Sequence, residues 1–347
     1  MRNEQNQQPK YIIFDFDKLW RFMPLHRPQK EVLKQLLFSG FPFIFSRLAA
    51  FQNWKNAQIF RNKESYFRRI VFAKRRFSNA DINHKQVASE NIETPKSFTS
   101  LAVAIHAFYP EIFGEIIELL EQSKFRNLSL YVTVPLQSSP AIEQLLGKSS
   151  FKYQIYIVEN HGRDILPFLK ILPKIFDDGH QLVLKLHTKG SNHLNKKELW
   201  KNDLFEKLIG KGTLAKNVQL FNQNNMLGIL GPTGHIVPMY FYYGANALHV
   251  KMMSDKLGIE TRQLQNLCFV AGSMFFARKE ALMPILHLGL SENDFEQENS
   301  QLDGTMAHAV ERAFGLGLIV SGLKLADSSS TPEKISCRIT MDHYFTV

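Results

Sequence analysis

The residues best suited to chemistry fall into three short clusters, each at the exit of an apolar run or the start of a helical one. In ENHGRDILPF, Asn160 and Gly162 permit a tight turn, and Arg163 and Asp164 stand where an amphipathic pattern begins. A helix N-terminus presents unpaired N–H groups and a partial positive charge, so beside Arg163 it suits a phosphate or a ribose. The plainer alternative is Asp164 as a helix cap with Arg163 as its surface partner. In LVLKLHTKGS, His187, Thr188 and Lys189 follow an apolar stretch and gather hydrogen-bond donors around a point charge suited to phosphate. A polar strand-to-loop exit would look the same. In QLDGTMAHAVERAFG, Asp303 opens a helical pattern, and His308 lies three and four positions before Glu311 and Arg312. The three therefore share a face, which suits proton transfer beside a fixed cation or simply internal hydrogen bonding.

Two further positions carry weaker signals. Gly272 and Ser273 interrupt an apolar strand in FVAGSMFFARKEAL, and glycine inside a strand marks a bulge or the close approach of a backbone or ligand. Trp200, in KKELWKNDLFEKLIG, offers either an aromatic face for a sugar ring or packing for an amphipathic helix.

The elements that must position these residues read as alternating strands and helices. Apolar runs at 100–107, 129–134, 154–158 and 181–186 predict strands, and helical spacing at 111–121, 141–146 and 165–175 predicts the helices between them. That order gives an α/β fold with a mostly parallel, Rossmann-like sheet flanked by helices. Ligands then bind beyond the carboxyl ends of the strands, where the first two clusters fall. GILGPTGHI predicts a short strand, and the helix entered at Asp303 is expected to close at Gly315. Ahead of this body lie an apolar strand in KYIIFDFD, an amphipathic helix in QKEVLKQLLFSG ending at Gly40, a second apolar strand in FPFIFS, a basic Phe-rich segment at 61–77 and a polar linker at 78–97. We therefore divide the chain into a basic N-terminal region, 1–97, and a body, 98–347.

Composition bounds the function classes. With 347 residues, 44% hydrophobic and 21% charged, the chain buries a sizeable core, and a disordered or collagen-like chain is excluded. Two cysteines, Cys268 and Cys337, make no disulfide framework or cysteine metal cluster and point to a reducing, cytoplasmic setting. Of the net charge of +10, residues 1–97 hold 18 Lys/Arg against 8 Asp/Glu, and the remaining 250 residues hold 24 of each. The basic character is thus N-terminal. No RNP-like or zinc-finger spacing accompanies it, so nucleic acid is not an expected partner. A basic segment with bulky apolar residues at 61–77 fits an acidic membrane surface, or plainly a solvated helix or subunit contact. The first ten residues are polar and no leader follows them. The uncharged stretch 217–250 contains Asn, Gln, Gly and two prolines and reads as core. The expectation is a soluble or peripheral protein on the cytoplasmic face of the inner membrane.

Set in order, LAVAIHAFYPEIFGEIIELL, LYVTVP, ENHGRDILPFL, LVLKLHTKGS, GILGP, FVAGSMFFARKEAL and QLDGTMAHAVERAFG resemble the rhamnan synthesis protein F family over about residues 98–320. This bacterial group is associated with rhamnan, O-antigen and capsule assembly. The resemblance implies a GT-A-like glycosyltransferase that moves a sugar from a nucleotide-diphosphate donor to a growing, lipid-linked glycan acceptor, with inversion and Asp303 as base. His308 and Glu311 are the alternative bases. With a donor of that kind, Asn160, Gly162, Arg163, Asp164, His187, Thr188, Lys189, Gly272, Ser273 and Arg312 are expected around it, and Trp200, as an aromatic face, is the candidate for the acceptor. Where the GT-A pattern carries an acidic pair for a divalent metal, this chain has His187, Thr188 and Lys189. A lysine cannot ligate Mg²⁺, which wants oxygen ligands. No cofactor is therefore assigned. The diphosphate is expected to be held by Lys189, Arg163 and helix N–H groups, with His187 as a hydrogen-bonding group or as a ligand should Mg²⁺ or Mn²⁺ bind.

Two rivals remain from sequence. YIIFDFDKLW resembles the nucleophile motif of haloacid-dehalogenase-type phosphatases, with Asp15 and Asp17 after an apolar strand and FIFS, ending at Ser46, as a second motif. Leu19 stands where that pattern wants threonine, and no acidic pair follows before the linker. The other rival is a non-catalytic basic subunit that binds a membrane or nucleic acid.

Overall fold

Four apolar strands frame the first half of the body: β1 (Leu101–His106), β2 (Leu128–Pro135), β3 (Lys152–Val158) and β4 (Leu182–His187). All are parallel neighbours. The computed structural model describes residues 20, 23–58, 100–188, 197–299, 301 and 303–340. Helices α4 (Pro110–Gln122), α5 (Ser139–Leu146) and α6 (Ile165–Asp177) make the crossovers. They are numbered after the N-terminal α1 (Arg27–Gly40), α2 (Pro42–Phe45) and α3 (Ala49–Ala57).

The second half adds α7 (Lys197–Ile209), α8 (Thr213–Gln223), β5 (Leu227–Gly231), β6 (Ile236–Pro238), α9 (Met239–Tyr242), α10 (Ala247–Lys256), β7 (Cys268–Val270), β8 (Phe275–Arg278), α11 (Lys279–Leu286), α12 (Met306–Ser321) and β9 (Lys324–Asp327). The main sheet has seven strands in the order β3-β2-β1-β4-β8-β5-β9, and β8 runs antiparallel to both its neighbours. This is the expected α/β fold with a mostly parallel, Rossmann-like sheet flanked by helices. The chain builds outward from β1 through β2 to β3, then crosses back along α6 to start β4 on the other side of β1. At such a reversal the loops leaving β1 and β4 part and open a crevice.

Strands β1, β2, β4, β5 and β8 are buried on both faces, which is why they read as near-continuous apolar runs, while the edge strand β3 is partly exposed. Along β1, Leu101, Val103 and Ile105 join one core, and Ala102 and Ala104 join the other. The first core also holds the inner faces of α4, α5, α7 and α8; the second holds those of α6, α10, α11 and α12.

Three sequence expectations are corrected. FVAGSMFFAR is two strands in two sheets: β7 pairs with β6, and β8 enters the main sheet. The chain reverses between them through left-handed backbone at Gly272 (φ +87°) and Ser273 (φ +55°). The last helix does not close at Gly315 but runs to Ser321 and ends at Gly322, φ +70°. Gly315 and Gly317 are there for contact: a Cβ on Gly315 would lie 2.5 Å from the carbonyl oxygen of Cys268, and one on Gly317 would strike that of Ala281. Finally, FPFIFS forms the short helix α2, with proline in its first turn and none of its residues buried. Proline pre-sets helical φ there and offers no N–H to a ladder. The strand proposed to carry a second phosphatase motif to Ser46 is therefore absent, and Asp15 and Asp17 lie outside the described residues.

The N-terminal helices have a small core of their own, in which Phe38 meets Phe45, Phe51 and Trp54 at ring-centroid distances of 5.1–5.5 Å. Helix α3 also packs on α10, and Ala57 is buried in the body's core. No helix of the described residues is long and apolar enough to cross a membrane.

Candidate active site

At the carboxyl edge of the sheet a polar layer is buried between β1, β2 and β4. His106 ends β1, where it pairs in register with Thr133 of β2 and His187 of β4. Its Nδ1 lies 3.0 Å from Thr133 Oγ1. Thr188 closes the layer: its N–H donates to the His106 carbonyl, and its Oγ1 accepts from the N–H groups of Phe108 and Tyr109 at 2.7 and 2.9 Å. Thr188 thus knits the two strand exits together.

Below this layer lies a buried ion pair. Lys185, in the middle of β4 and 1% exposed, donates to Asp164 Oδ2 at 2.5 Å and to the Ser273 carbonyl at 2.9 Å. Asp164 immediately precedes α6 but makes no side-chain cap to it. Its carboxylate reaches back to Lys185, with His187 Nε2 4.0 Å away. Burial alone would raise the Asp164 carboxyl, but Lys185, with His187 and His106, outweighs it and holds Asp164 far below the usual carboxylate range. Both plainer readings of Asp164 and Arg163, cap and surface partner, give way to this pair and to the contacts of Arg163 below.

The β7–β8 turn is gripped from both sides. His187 Nε2 donates to the Gly272 carbonyl at 2.9 Å, and the Gly272 N–H donates to Glu311 Oε1 at 2.8 Å. Burial pushes the Glu311 carboxyl up, with Arg312 opposing. Trp200 lies beneath: a Cβ on Gly272 would sit 2.8 Å from its ring. Trp200 is 6% exposed and belongs to the apolar core. It supports the turn and presents no open face on which an acceptor sugar could stack, which corrects the acceptor role expected of it. Ser273 is buried in its left-handed conformation, and its Oγ has no hydrogen-bond partner among the described residues.

The rim is set by α12. Asp303 accepts from Asn246 Nδ2 at 2.6 Å, from the Ala245 N–H at 3.2 Å and from Arg312 Nη2 at 3.2 Å. Arg312 is itself fixed by the carbonyls of Tyr242 and His308, each at 2.7 Å, and stands over the Phe269 ring at 5.4 Å. Burial raises the Asp303 carboxyl, but Arg312 and Asn246 prevail, so it lies below its ordinary value and is ionised at neutral pH. About a third of the Asp303 side chain remains exposed (37%). His308 sits in the first turn with Nδ1 2.7 Å from Thr305 Oγ1. Burial and the charge of Arg163 push its ring down to about 4, so it is neutral at pH 7.

Arg163, at φ +58°, spans the gap between α6 and the loop before Asp303. Its guanidinium donates to the Gln301 carbonyl, and its Nε lies 3.3 Å from Glu298. His161 Nε2 donates to the Phe295 carbonyl at 2.9 Å, so the turn after β3 is strapped to the loop that delivers Asp303. Asn160 is exposed on the same turn. Lys189 lies outside the described residues.

The expected residues therefore sort into a floor of Asp164, His187, Thr188, Gly272, Ser273 and Glu311 and a rim of Arg163, Asp303, His308 and Arg312. The sequence reading missed Lys185, His106, Thr133 and Asn246. For Lys185 a signal existed, since a charge inside an apolar strand demands a buried partner. Asn246 carried none.

These residues do not fit a divalent metal. Asp164, Asp303 and Glu298 are each paired with a cation, Glu311 accepts a backbone N–H, and no group of three His, Cys, Asp or Glu side chains among the described residues is placed to hold an ion.

Fold and site define an α/β protein with a mostly buried cluster of polar and charged residues at the reversal point of a Rossmann-like sheet. The chain belongs to the rhamnan synthesis protein F family, whose model matches residues 59–320. It is 32% identical over 232 residues to the uncharacterized protein WxcX of Xanthomonas campestris pv. campestris strain B100, and to the same degree to WxcX of a second strain of that pathovar. The alignment covers 67% of this chain and 33% of each relative, so the chain spans about a third of their length.

Proposed function

We propose that the protein takes part in bacterial polysaccharide synthesis as a glycosyltransferase of GT-A type, using a nucleotide-diphosphate sugar and a lipid-linked glycan acceptor. The observation that carries this reading is the convergence of Asp303, Arg312, His308 and Arg163 above the floor formed by Asp164, His187 and Gly272, at the sheet edge where such folds bind nucleotides. Membership of a family named for rhamnan synthesis supports it.

In the reaction, the acceptor oxygen bonds to the anomeric carbon of the donor while its proton passes to the Asp303 carboxylate. The bond from the anomeric carbon to the diphosphate oxygen breaks, and the electron pair leaves on the diphosphate. Asp303 suits the first role because its neighbours keep it in the basic form and part of it is open to solvent. Arg163 and Arg312 supply fixed positive charge for the leaving group, with Lys189 as a further cation, and held charges need no reorganisation during the reaction. Neutral His308 stands ready to accept a hydrogen bond from a hydroxyl or to donate one to a phosphate oxygen, according to tautomer.

The test is thermal-shift screening against nucleoside diphosphates, followed by transfer assays on the donor that stabilises the fold. Asp303→Asn should lower transfer by at least about a hundredfold, in the range for a lost general base, and leave donor binding within a few-fold of the parent. Equal transfer rates for the two proteins would remove Asp303 from the mechanism. No stabilisation by any nucleoside diphosphate would remove the glycosyltransferase reading.

A further inference from the structure

The main sheet ends on β3, which among the described residues has β2 on one side and no strand on the other. Strand edges of this kind are ordinarily blunted by proline, a bulge, charge or short length. Strand β3, KYQIYIV, has no proline, carries Lys152 as its sole charge, and pairs with β2 over all seven residues without a break in register. Its side chains alternate between the two faces of the sheet. On one face, Tyr156 packs against the core that holds α6; its Oη donates to Gln154 Oε1 at 2.7 Å, and Gln154 Nε2 donates to Asp178 at 2.9 Å. That face is closed on itself. On the other, Ile155 packs against the core that holds α4 and α5, and Tyr153 and Ile157 flank it at 43% and 52% exposure.

This row is complementary to itself. In an antiparallel pair about a twofold axis at Ile155, Tyr153 stands opposite Ile157 of a second copy, Ile155 opposite its own mate, and Ile157 opposite Tyr153. Aromatic and β-branched side chains are favoured partners across antiparallel strands. The charges agree with the same arrangement. Lys152 opens β3 and Glu159 directly follows it; both are exposed, and neither is hydrogen-bonded or ion-paired to a described residue. Antiparallel pairing sets Lys152 opposite Val158 of the second copy, one residue from its Glu159, and the axis repeats this at the other end. Parallel pairing would set lysine beside lysine and glutamate beside glutamate. A strand of another chain could use the open ladder, but the match of the apolar row and of both charges selects a second copy of this one.

We infer that β3 pairs antiparallel with β3 of a second copy, joining the two main sheets into one. The twofold axis stands perpendicular to the joined sheet, so α4 and α5 of both copies lie on the same face. The carboxyl edges point in opposite directions, which puts the two polar clusters at opposite edges of the joined sheet. None of this rests on the proposed glycosyl transfer.

Sedimentation equilibrium of the full chain tests the pairing, and the parent should have the mass of two chains. Y153K/I157K, changed only at exposed positions, sets lysine opposite lysine in place of the apolar pairs and should weaken the dimer at least about tenfold. Lys152→Glu and Glu159→Lys should each weaken it several-fold, and K152E/E159K should recover the parent's affinity, because the exchange restores opposite signs at both ends. Y153C/I157C should oxidise to a covalent dimer, since directly opposite residues lie within disulfide reach; neither single cysteine variant should, and the parent, with Cys268 and Cys337, is the control. A monomeric parent would overturn the inference and leave the edge to a strand of another chain or to residues outside those described. A dimer that Y153K/I157K leaves intact would overturn it in favour of a different contact. Failure of Y153C/I157C to cross-link would overturn the antiparallel register. Each readout is taken without a nucleotide, so failure here and failure of the proposed reaction are distinguishable.

Discussion

Replacing Lys185 with methionine isolates the buried pair on which the floor of the crevice depends. The side chains are of similar length, so packing against Phe168, whose ring centroid lies 5.4 Å from the ammonium, is largely retained. The charge is lost, along with the donors to Asp164 Oδ2 and the Ser273 carbonyl. Asp164, with 11% of its side chain exposed, is then a buried carboxylate left with His187 at 4.0 Å and the influence of His106. Breaking a buried pair from one side costs about 3–5 kcal/mol, a large part of the ~5–15 kcal/mol that holds a domain folded.

The effect depends on pH in a definite direction. In the parent the Asp164 carboxyl is depressed, so its contribution is present above the unfolded value of about 3.9 and is lost as pH falls through the folded one. In the variant, burial acts without Lys185 and raises the carboxyl, so Asp164 takes up a proton as pH falls and the penalty shrinks. Urea unfolding at pH 7 and near pH 5 should therefore give the larger difference between the two proteins at pH 7. Asp164→Leu added to Lys185→Met should recover more than half of the loss, since it removes the orphaned charge. A loss under about 1 kcal/mol at pH 7, or a double variant no more stable than the sum of the single losses allows, would refute the pair as the anchor of the floor.

Two further outcomes follow from the geometry. Gly317→Ala should lower stability by about 1–3 kcal/mol or more, because its methyl meets the Ala281 backbone rather than a side chain that can swing aside; Gly40→Ala, with open space around it, should leave thermal unfolding within a degree or two, and equal behaviour of the two would mean α12 is not pinned there. The His308 ring should titrate by NMR with a midpoint of about 4; its depressed value adds stability above pH ~6.5 that declines as pH falls toward 4, and a midpoint between 6 and 7 would show that the ring is not buried beside Arg163 as described.

The sequence made the framework legible where physics leaves a local trace. Strands β1, β2 and β4 are apolar on both faces, and α4 and α6 show helical spacing, so each can be placed within a few residues. The reversal at Gly272 and Ser273 could not be read, because the groups that hold it are distant in sequence: Lys185, which bonds the Ser273 carbonyl, is 88 residues away. FPFIFS has the composition of a strand, but Pro42 sits in the first turn of the helix it forms and has no N–H to give a ladder. At the site, Asp303, His308, Glu311 and Arg312 were visible through their spacing on one helix. Arg163 looked like an open anion binder because its acceptor, the Gln301 carbonyl, is 138 residues distant.

That distribution explains why one helix carries so much of the site. Along α12 and its entrance, Arg312 fixes Asp303, Glu311 fixes the Gly272 N–H, and His308 supplies the neutral ring. Farther along, Gly315 and Gly317 let the same helix press against the backbones of Cys268 and Ala281. If Asp303 is the base of the proposed transfer, mounting it and the floor on separate loops would let them drift apart by the ångström that costs a reaction its alignment. Mounted on a single helix held by backbone contact at its far half, they keep a common reference. Across from that helix, the turn after β3 is tied to the loop before Asp303 by Arg163 on the Gln301 carbonyl and His161 on the Phe295 carbonyl. On the proposed reaction, an incoming diphosphate would compete with Glu298 for Arg163, and donor binding would then be linked through one guanidinium to the loop ahead of Asp303.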